Sequence, residues 1–247
     1  MLRTNGPAGL PSIGIAAPEQ VNPAGVNPAG YDRIQSQSIP GYSSLARLSV
    51  ALLAASRAAA PEGAEVLVAG CGTGSELLEA LRQRPDWQLT AIDPSAEMLA
   101  ESRSRVAGQG QITWRQTTAE ALAQEPGVAG RYAGALSVLV LQSLPDDGSK
   151  LAFLTGLASS LQPGAQLVLV DLMQSELPSL ESQLNQAWQG FQRASGLEAA
   201  SSGTDDLQLH PIGLARLTSL VNAAGFGDPA RIYQALDFQG FLLQRNL

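Results

Sequence analysis

The 247-residue chain is poor in the residues that carry much familiar chemistry: it has one cysteine, Cys71, and one histidine, His210. A single thiol excludes an intrachain disulfide and points to a reducing compartment, so a cytoplasmic location is expected. No metal centre is expected either. Lysine and arginine are outnumbered 15 to 22 by aspartate and glutamate, a net charge of −7. A broad phosphate-binding face needs clustered cations, so direct nucleic-acid binding is not expected. Long apolar runs are also missing. The most apolar early stretch, residues 48–56, lies between Arg47 and Arg57 and is far too short to span a bilayer. The first ten residues lack the apolar segment of an export signal.

What the chain does have is one glycine cluster in a telling place. Glu65-Val66-Leu67-Val68-Ala69 reads as a short apolar strand running into Gly70-Cys71-Gly72-Thr73-Gly74, with the helical pattern of Glu76 to Leu81 behind it. Glycine lets the backbone approach a ligand closely, and the helix start offers unpaired N–H groups. A second apolar strand, Leu89 to Ile92, ends in Asp93 about 20 residues later, where an acceptor for ribose hydroxyls belongs. The pair reads as a nucleotide-type site. Ser75 stands where a dinucleotide fingerprint wants its third glycine, which disfavours nicotinamide redox chemistry. Cys71, inside the turn, reads as a small packing residue.

The remaining chain repeats the alternation. Residues 1–30 are rich in Pro, Gly and Ala and contain a tandem Val-Asn-Pro-Ala-Gly; they read as a flexible arm. Residues 31–247 form the domain. Tyr31 and Tyr42 flank a Pro40-Gly41 turn ahead of a helix expected over Leu45–Ala59, and either could present a hydroxyl to a ligand. Ser95–Val106 reads as a capped helix and Gln111–Gln116 as a strand. The apolar run Ala133–Leu141 fits a central strand buried on both faces. A helix over Ser149–Leu161, a Gln162-Pro163-Gly164 turn and a strand over Ala165–Asp171 follow. An insert at about 173–208 carries Leu177, Leu180, Leu184, Trp188 and Phe191 at helical spacing, the stripe of a lid packed on the sheet. Ser201–Asp206 reads as a polar loop. After a helix over Gly213–Ala224, two runs read as a hairpin. The fold class is α/β: a Rossmann-like doubly wound sheet, mostly parallel with one antiparallel edge strand.

The Gly-x-Gly-x-Gly turn and Asp93-Pro94-Ser95-Ala96-Glu97-Met98 resemble the cofactor motifs of class I S-adenosylmethionine-dependent methyltransferases. Gln37 to Ser43, Leu141 to Leu144 and Phe191 to Gly196 are similar to the carboxy-S-adenosylmethionine synthase-like group of that family. The resemblance implies S-adenosylmethionine as cofactor. It implies contacts from Gly70, Cys71, Gly72, Gly74, Asp93, Pro94, Met98, Thr118, Ala119, Glu120 and Val138. A small-molecule acceptor would lie among Tyr31, Tyr42, Gln142 and Arg193, with Tyr42 reaching the carboxylate end of the ligand and counted with Asp171 as a catalytic residue. Asp171, closing the fifth strand, is the candidate base, because open α/β sheets place active sites at strand carboxyl ends. His210, beside Pro211 at a helix entry, reads as structural.

Three positions depart from the family pattern. Val68 replaces the usual acid two residues before the first glycine, Thr118 replaces the usual adenine-contacting acid, and Ser202-Gly203-Thr204-Asp205-Asp206 stands where the carboxylate-binding arginine would be. Methyl transfer from S-adenosylmethionine is the expected function. The alternatives are a catalytically silent binding or regulatory protein on the same fold, and a carboxy-S-adenosylmethionine synthase-like enzyme of tRNA wobble-uridine modification. A homodimer is left open.

Overall fold

The structure, a computed structural model, describes residues 28–197 and 209–247. Two helices, α1 (Pro28–Ser38) and α2 (Tyr42–Ala54), precede the sheet. Then β1 (Glu65–Ala69), α3 (Ser75–Gln83), β2 (Gln88–Ile92), α4 (Ala96–Val106), β3 (Gln111–Arg115) and the short α5 (Ala119–Leu122) alternate. They are followed by β4 (Tyr132–Val138), a 3-10 turn (Leu141–Ser143), α6 (Ser149–Ser160) and β5 (Leu161–Leu172). A second 3-10 turn (Pro178–Leu180) leads into α7 (Glu181–Ala194); α8 (Leu214–Ala224), β6 (Ala230–Ala235) and β7 (Phe238–Gln244) close the fold.

The seven strands lie in the order β3-β2-β1-β4-β5-β7-β6. The first five are mutually parallel, and β7 runs antiparallel to both its neighbours. The antiparallel strand thus sits one place inside the edge, with β6 outside it. Chain order reverses between β1 and β4, so a crevice opens there at the carboxyl ends of the strands. Alternation along β1 shows how both faces are filled. Leu67 and Ala69 join the cluster that packs under α5, α6 and α8, while Val66 and Val68 join the one under α2 and α3.

Three local expectations are corrected. The Gln162-Pro163-Gly164 turn is absorbed into β5, where pairing with β4 shifts register between Tyr132↔Leu161 and Gly134↔Gln166; an irregular stretch hosts a proline that a regular ladder would not. Helix α2 starts earlier and stops earlier than expected, at Tyr42 and Ala54. Its Leu53 lies where a Cβ on Gly134 would meet Leu53 Cδ1 at 2.5 Å, so a bare backbone on β4 lets the helix settle on the sheet. And α1 begins at Pro28, inside the segment read as an arm. Proline is well suited to a first helical turn, where its missing N–H would have had no partner. The rest of the arm (1–27) and the polar loop at 201–206 fall outside the described residues.

Candidate functional site

Gly70, Gly72 and Gly74 have φ of 68°, 48° and 89°, all in the left-handed region that L side chains avoid. Their jobs differ. A Cβ on Gly70 would strike Val140 Cγ2 at 2.3 Å and one on Gly74 would strike Ser102 Oγ at 2.3 Å, so these two let the turn nest against its neighbours. A Cβ on Gly72 would meet nothing within 4 Å. Only the middle glycine turns bare backbone toward open space.

Asp93 touches this glycine directly. Its Oδ2 accepts the Gly72 amide at 2.9 Å and its Oδ1 accepts the Ser95 amide at 2.8 Å. At 8% exposure its proton affinity is raised by burial, with both amides pulling the other way. Each oxygen keeps capacity for a further donor such as a ribose hydroxyl. Ser95 caps α4 by accepting the amide of Met98, which is itself buried. Thr118 caps α5 by accepting the Ala121 amide at 3.4 Å, with Ala119 buried and Glu120 exposed behind it. Pro94 is half-buried, and its carbonyl accepts from the Gln116 side chain at 3.1 Å.

Above the glycine turn lies a small hollow lined by Tyr31, Tyr42, Gly70, Cys71, Gly72, Thr73, Ser75, Glu76, Val138 and Leu139. The two tyrosines close it to about 30 Å³, room for roughly one water. Burial is the main force holding both phenols well above their usual range, so they remain protonated donors. The Cys71 thiol is likewise pushed up, chiefly by burial, and is not a thiolate nucleophile. Leu139 stands at φ 61°, a strained conformation for a leucine, and its amide is tied to the Val170 carbonyl at 2.7 Å.

Asp32, on α1, is the latch of this region. Its Oδ1 accepts from Tyr42 Oη at 3.0 Å and Thr73 Oγ1 at 2.9 Å, and its Oδ2 accepts from Ser75 Oγ at 3.1 Å and pairs with Arg105. Arg105 also donates to the Thr73 carbonyl at 2.8 Å. Sequence reading missed Asp32, Glu76 and Arg105 alike. No spacing rule links α1 or α4 to the glycine turn, although Glu76 stands only two residues beyond it.

The expected acceptor set is not gathered in one place. Tyr31 and Tyr42 line the nucleotide hollow. Gln142 braces β5, its side-chain oxygen accepting the Leu172 amide at 2.9 Å. Its carbonyl accepts the His210 amide at 2.7 Å. Arg193 is exposed near the end of α7. Asp171 is 1% exposed and accepts the amides of Leu141 at 3.2 Å and Gln142 at 2.8 Å. Burial pushes it up to about 7, opposed by those amides and by Lys150. Lys150, also 1% exposed, donates to the Leu141 carbonyl at 2.5 Å. This carboxylate therefore braces the loop after β4, turned inward instead of toward an acceptor.

A larger cavity, about 410 Å³, opens under α7 at the end of β5. Its apolar walls include Leu172, Leu184, Trp188 and Phe238, and its polar ones Gln174, Asn185, Glu181 and Asp237. Trp188 meets Phe238 edge-on at 5.7 Å between ring centroids and donates Nε1–H to the Ser38 carbonyl at 2.6 Å, tying α7 to α1. Among the described residues no group of His, Cys, Asp and Glu is arranged to hold a metal. No described helix is long and apolar enough to cross a membrane.

The strand order, the left-handed glycine turn and the carboxylate that ends β2 define a class I methyltransferase fold. Residues 66–164 match the methyltransferase domain family. The carboxy-S-adenosyl-L-methionine synthase of Geobacter metallireducens is 28% identical over 221 residues, 87% of this chain and 88% of that protein. Among solved structures, a protein from Bordetella parapertussis superposes with a TM-score of 0.65 at 21% identity, covering 90% of this chain and 80% of its own. A SAM-dependent methyltransferase from Methanosarcina mazei gives 0.56 at 19% identity, covering 76% and 94%. The chain carries an S-adenosylmethionine-dependent methyltransferase domain, and S-adenosylmethionine is its cofactor.

Proposed function

We propose that the protein methylates a small-molecule acceptor bound in the cavity under α7. The observation that carries this reading is the cavity itself. At about 410 Å³ it has the size and the mostly apolar lining with a few polar groups that small-ligand sites share. Val138 and Leu139 of the nucleotide hollow belong to the same apolar cluster as Leu172, Trp188 and Phe238 of the cavity, and methyl transfer requires the two spaces to join once the cofactor is bound.

When bound, the cofactor supplies a methyl group already activated on a sulfonium. The protein's own work is then holding and drying. Gly72 leaves room for close approach of the backbone, and Asp93 offers two carboxylate oxygens to the ribose. Val138, Leu139 and Leu172 offer apolar surface that would keep water from the place where donor and acceptor meet. Asp171 is committed to the Leu141 and Gln142 amides, so no general base enters this reading and the acceptor must ionise readily on its own. With the hollow closed to about 30 Å³, the nucleoside is admitted only when α1 gives way with Tyr31.

The test is to incubate the protein with methyl-labelled S-adenosylmethionine and a cell extract split by ultrafiltration. Label should enter the low-molecular-weight fraction. Label entering only the macromolecular fraction would overturn the small-molecule reading. A second reading, synthesis of carboxy-S-adenosylmethionine, is favoured by the Geobacter metallireducens relative. Against it, the stretch of sequence matching the region of that group's carboxylate-binding arginine reads Ser202-Gly203-Thr204-Asp205-Asp206, with no arginine. Mass spectrometry of the nucleoside that co-purifies separates the two: the ordinary cofactor supports methylation, the carboxylated one supports the synthase.

A further inference from the structure

Glu76 lies in the first turn of α3, 9% exposed, and lines the nucleotide hollow beside Gly72 and Thr73. Among the described residues no other side chain donates a hydrogen bond to its carboxylate; the one it receives comes from its own amide. The nearest cation is spent elsewhere, since Arg105 pairs with Asp32 and with the Thr73 carbonyl. Its other neighbours, Tyr31, Tyr42 and Asp32, add repulsion or neutral surface. A carboxylate buried without a countercharge is costly, and a Leu or Gln would fill the space without that cost. The strand behind it offers no acid: Val68 is 2% exposed and packed in the cluster with Leu77 and Ala80.

S-adenosylmethionine brings a primary ammonium on its amino-acid end. Resting on the cofactor assignment above, we propose that Glu76 receives this ammonium and thereby replaces, from the helix, the anchor that Val68 cannot provide from the strand. Asp32 is already paired with Arg105 in the ligand-free protein and does not serve as this anchor. Glu76 is a binding and positioning residue that sets where the amino-acid end lies; it takes no part in methyl transfer itself.

The experiment compares S-adenosylhomocysteine, which carries the ammonium, with 5′-methylthioadenosine, which lacks the amino-acid arm, by isothermal titration calorimetry. A charge-assisted hydrogen bond to a buried carboxylate corresponds to a loss of about 10- to 100-fold when it is removed. Glu76→Gln should weaken S-adenosylhomocysteine by that factor and leave 5′-methylthioadenosine within about twofold. Equal losses for both nucleosides, or none for either, would overturn the proposal. Wild-type protein that binds neither nucleoside would instead overturn the cofactor assignment beneath it.

A second measurement needs no variant. In the free protein burial holds the Glu76 carboxyl at about 7, so forming the ion pair near neutral pH must release a proton. The groups facing it are Tyr31 and Asp32 from α1, Tyr42 from α2, Cys71 and Asp93 from the strand ends and Arg105 from α4. The phenols and thiol ionise only far above neutrality, and Asp32 is already paired. The binding enthalpy of S-adenosylhomocysteine at pH 7 should therefore vary with the ionisation enthalpy of the buffer, and that of 5′-methylthioadenosine should not. No buffer dependence for either would count against Glu76 as the anchor.

Discussion

Glutamine in place of Glu76 should make the ligand-free protein more stable, and the gain should grow with pH. Burial carries the Glu76 carboxyl from 4.5 to about 7. The sign follows from proton counting. Between those two values the folded chain holds a proton that the unfolded chain has lost, so stability falls as pH rises through that window. Below about 4 the group costs nothing in either state; above about 8 the full penalty applies. At about 1.4 kcal/mol per tenfold change in proton affinity, the ceiling is roughly 3 kcal/mol. The buried amide of glutamine gives back about 1 kcal/mol of that, because it too leaves water without full partners. Urea denaturation of both proteins at pH 5, 6, 7 and 8 reads the difference directly. Expected is a small gap at pH 5 that widens to about 2 kcal/mol at pH 8, or some 4–8 °C in melting temperature for a domain of this size. Asp171 titrates over a similar range in both proteins, so its contribution cancels. A gap that ignores pH, or a variant weaker than wild type at pH 8, would refute the account of Glu76 as an unpaired buried acid. Together with the binding experiment, this would make Glu76 a residue kept at the expense of stability.

Asp171→Asn should destabilise the fold by about 2–3 kcal/mol in urea denaturation, since one of the Leu141 and Gln142 amides loses its acceptor and Lys150 loses its buried countercharge. Gly72→Ala should cost roughly 1–2 kcal/mol of stability, because the only penalty is the left-handed backbone. It should abolish calorimetric binding of S-adenosylhomocysteine by filling the open side of the turn. Gly70→Ala adds a collision with Val140 at 2.3 Å and should lower the melting temperature more than Gly72→Ala does. Asp93→Asn should weaken S-adenosylhomocysteine and 5′-methylthioadenosine alike by about tenfold, since both carry the ribose; selective loss of one would place Asp93 elsewhere in the site.

Much of the nucleotide half was legible because its signals are local. Strand, glycine turn and helix start occupy one continuous stretch, and the hydrogen bond from Gly72 to Asp93 joins two strand ends that β1 and β2 bring side by side. The acceptor half was not legible in the same way. Asp171 sits at the expected strand end, yet its orientation depends on a 3-10 turn whose amides it accepts and on a lysine from α6. Tyr42 was singled out for its aromatic ring, but its partner is Asp32, ten residues earlier on another helix. The cavity under α7 draws on β5, α7 and the β6–β7 turn, elements separated by up to about 65 residues, and no periodicity announces such a meeting.

By itself the amino-acid order determined the alternation of strands and helices, the three left-handed glycines and the acid that ends β2, because backbone sterics and side-chain period act over a few residues. Only the tertiary structure decided which of the remaining charges have partners. Asp32 gained Arg105, Asp171 gained two amides and a lysine, and Glu76 was left, among the described residues, without a cation paired to it. Whether a carboxylate is satisfied depends on what the other elements bring within about 3 Å of it, and that distance is set by packing rather than by position along the chain.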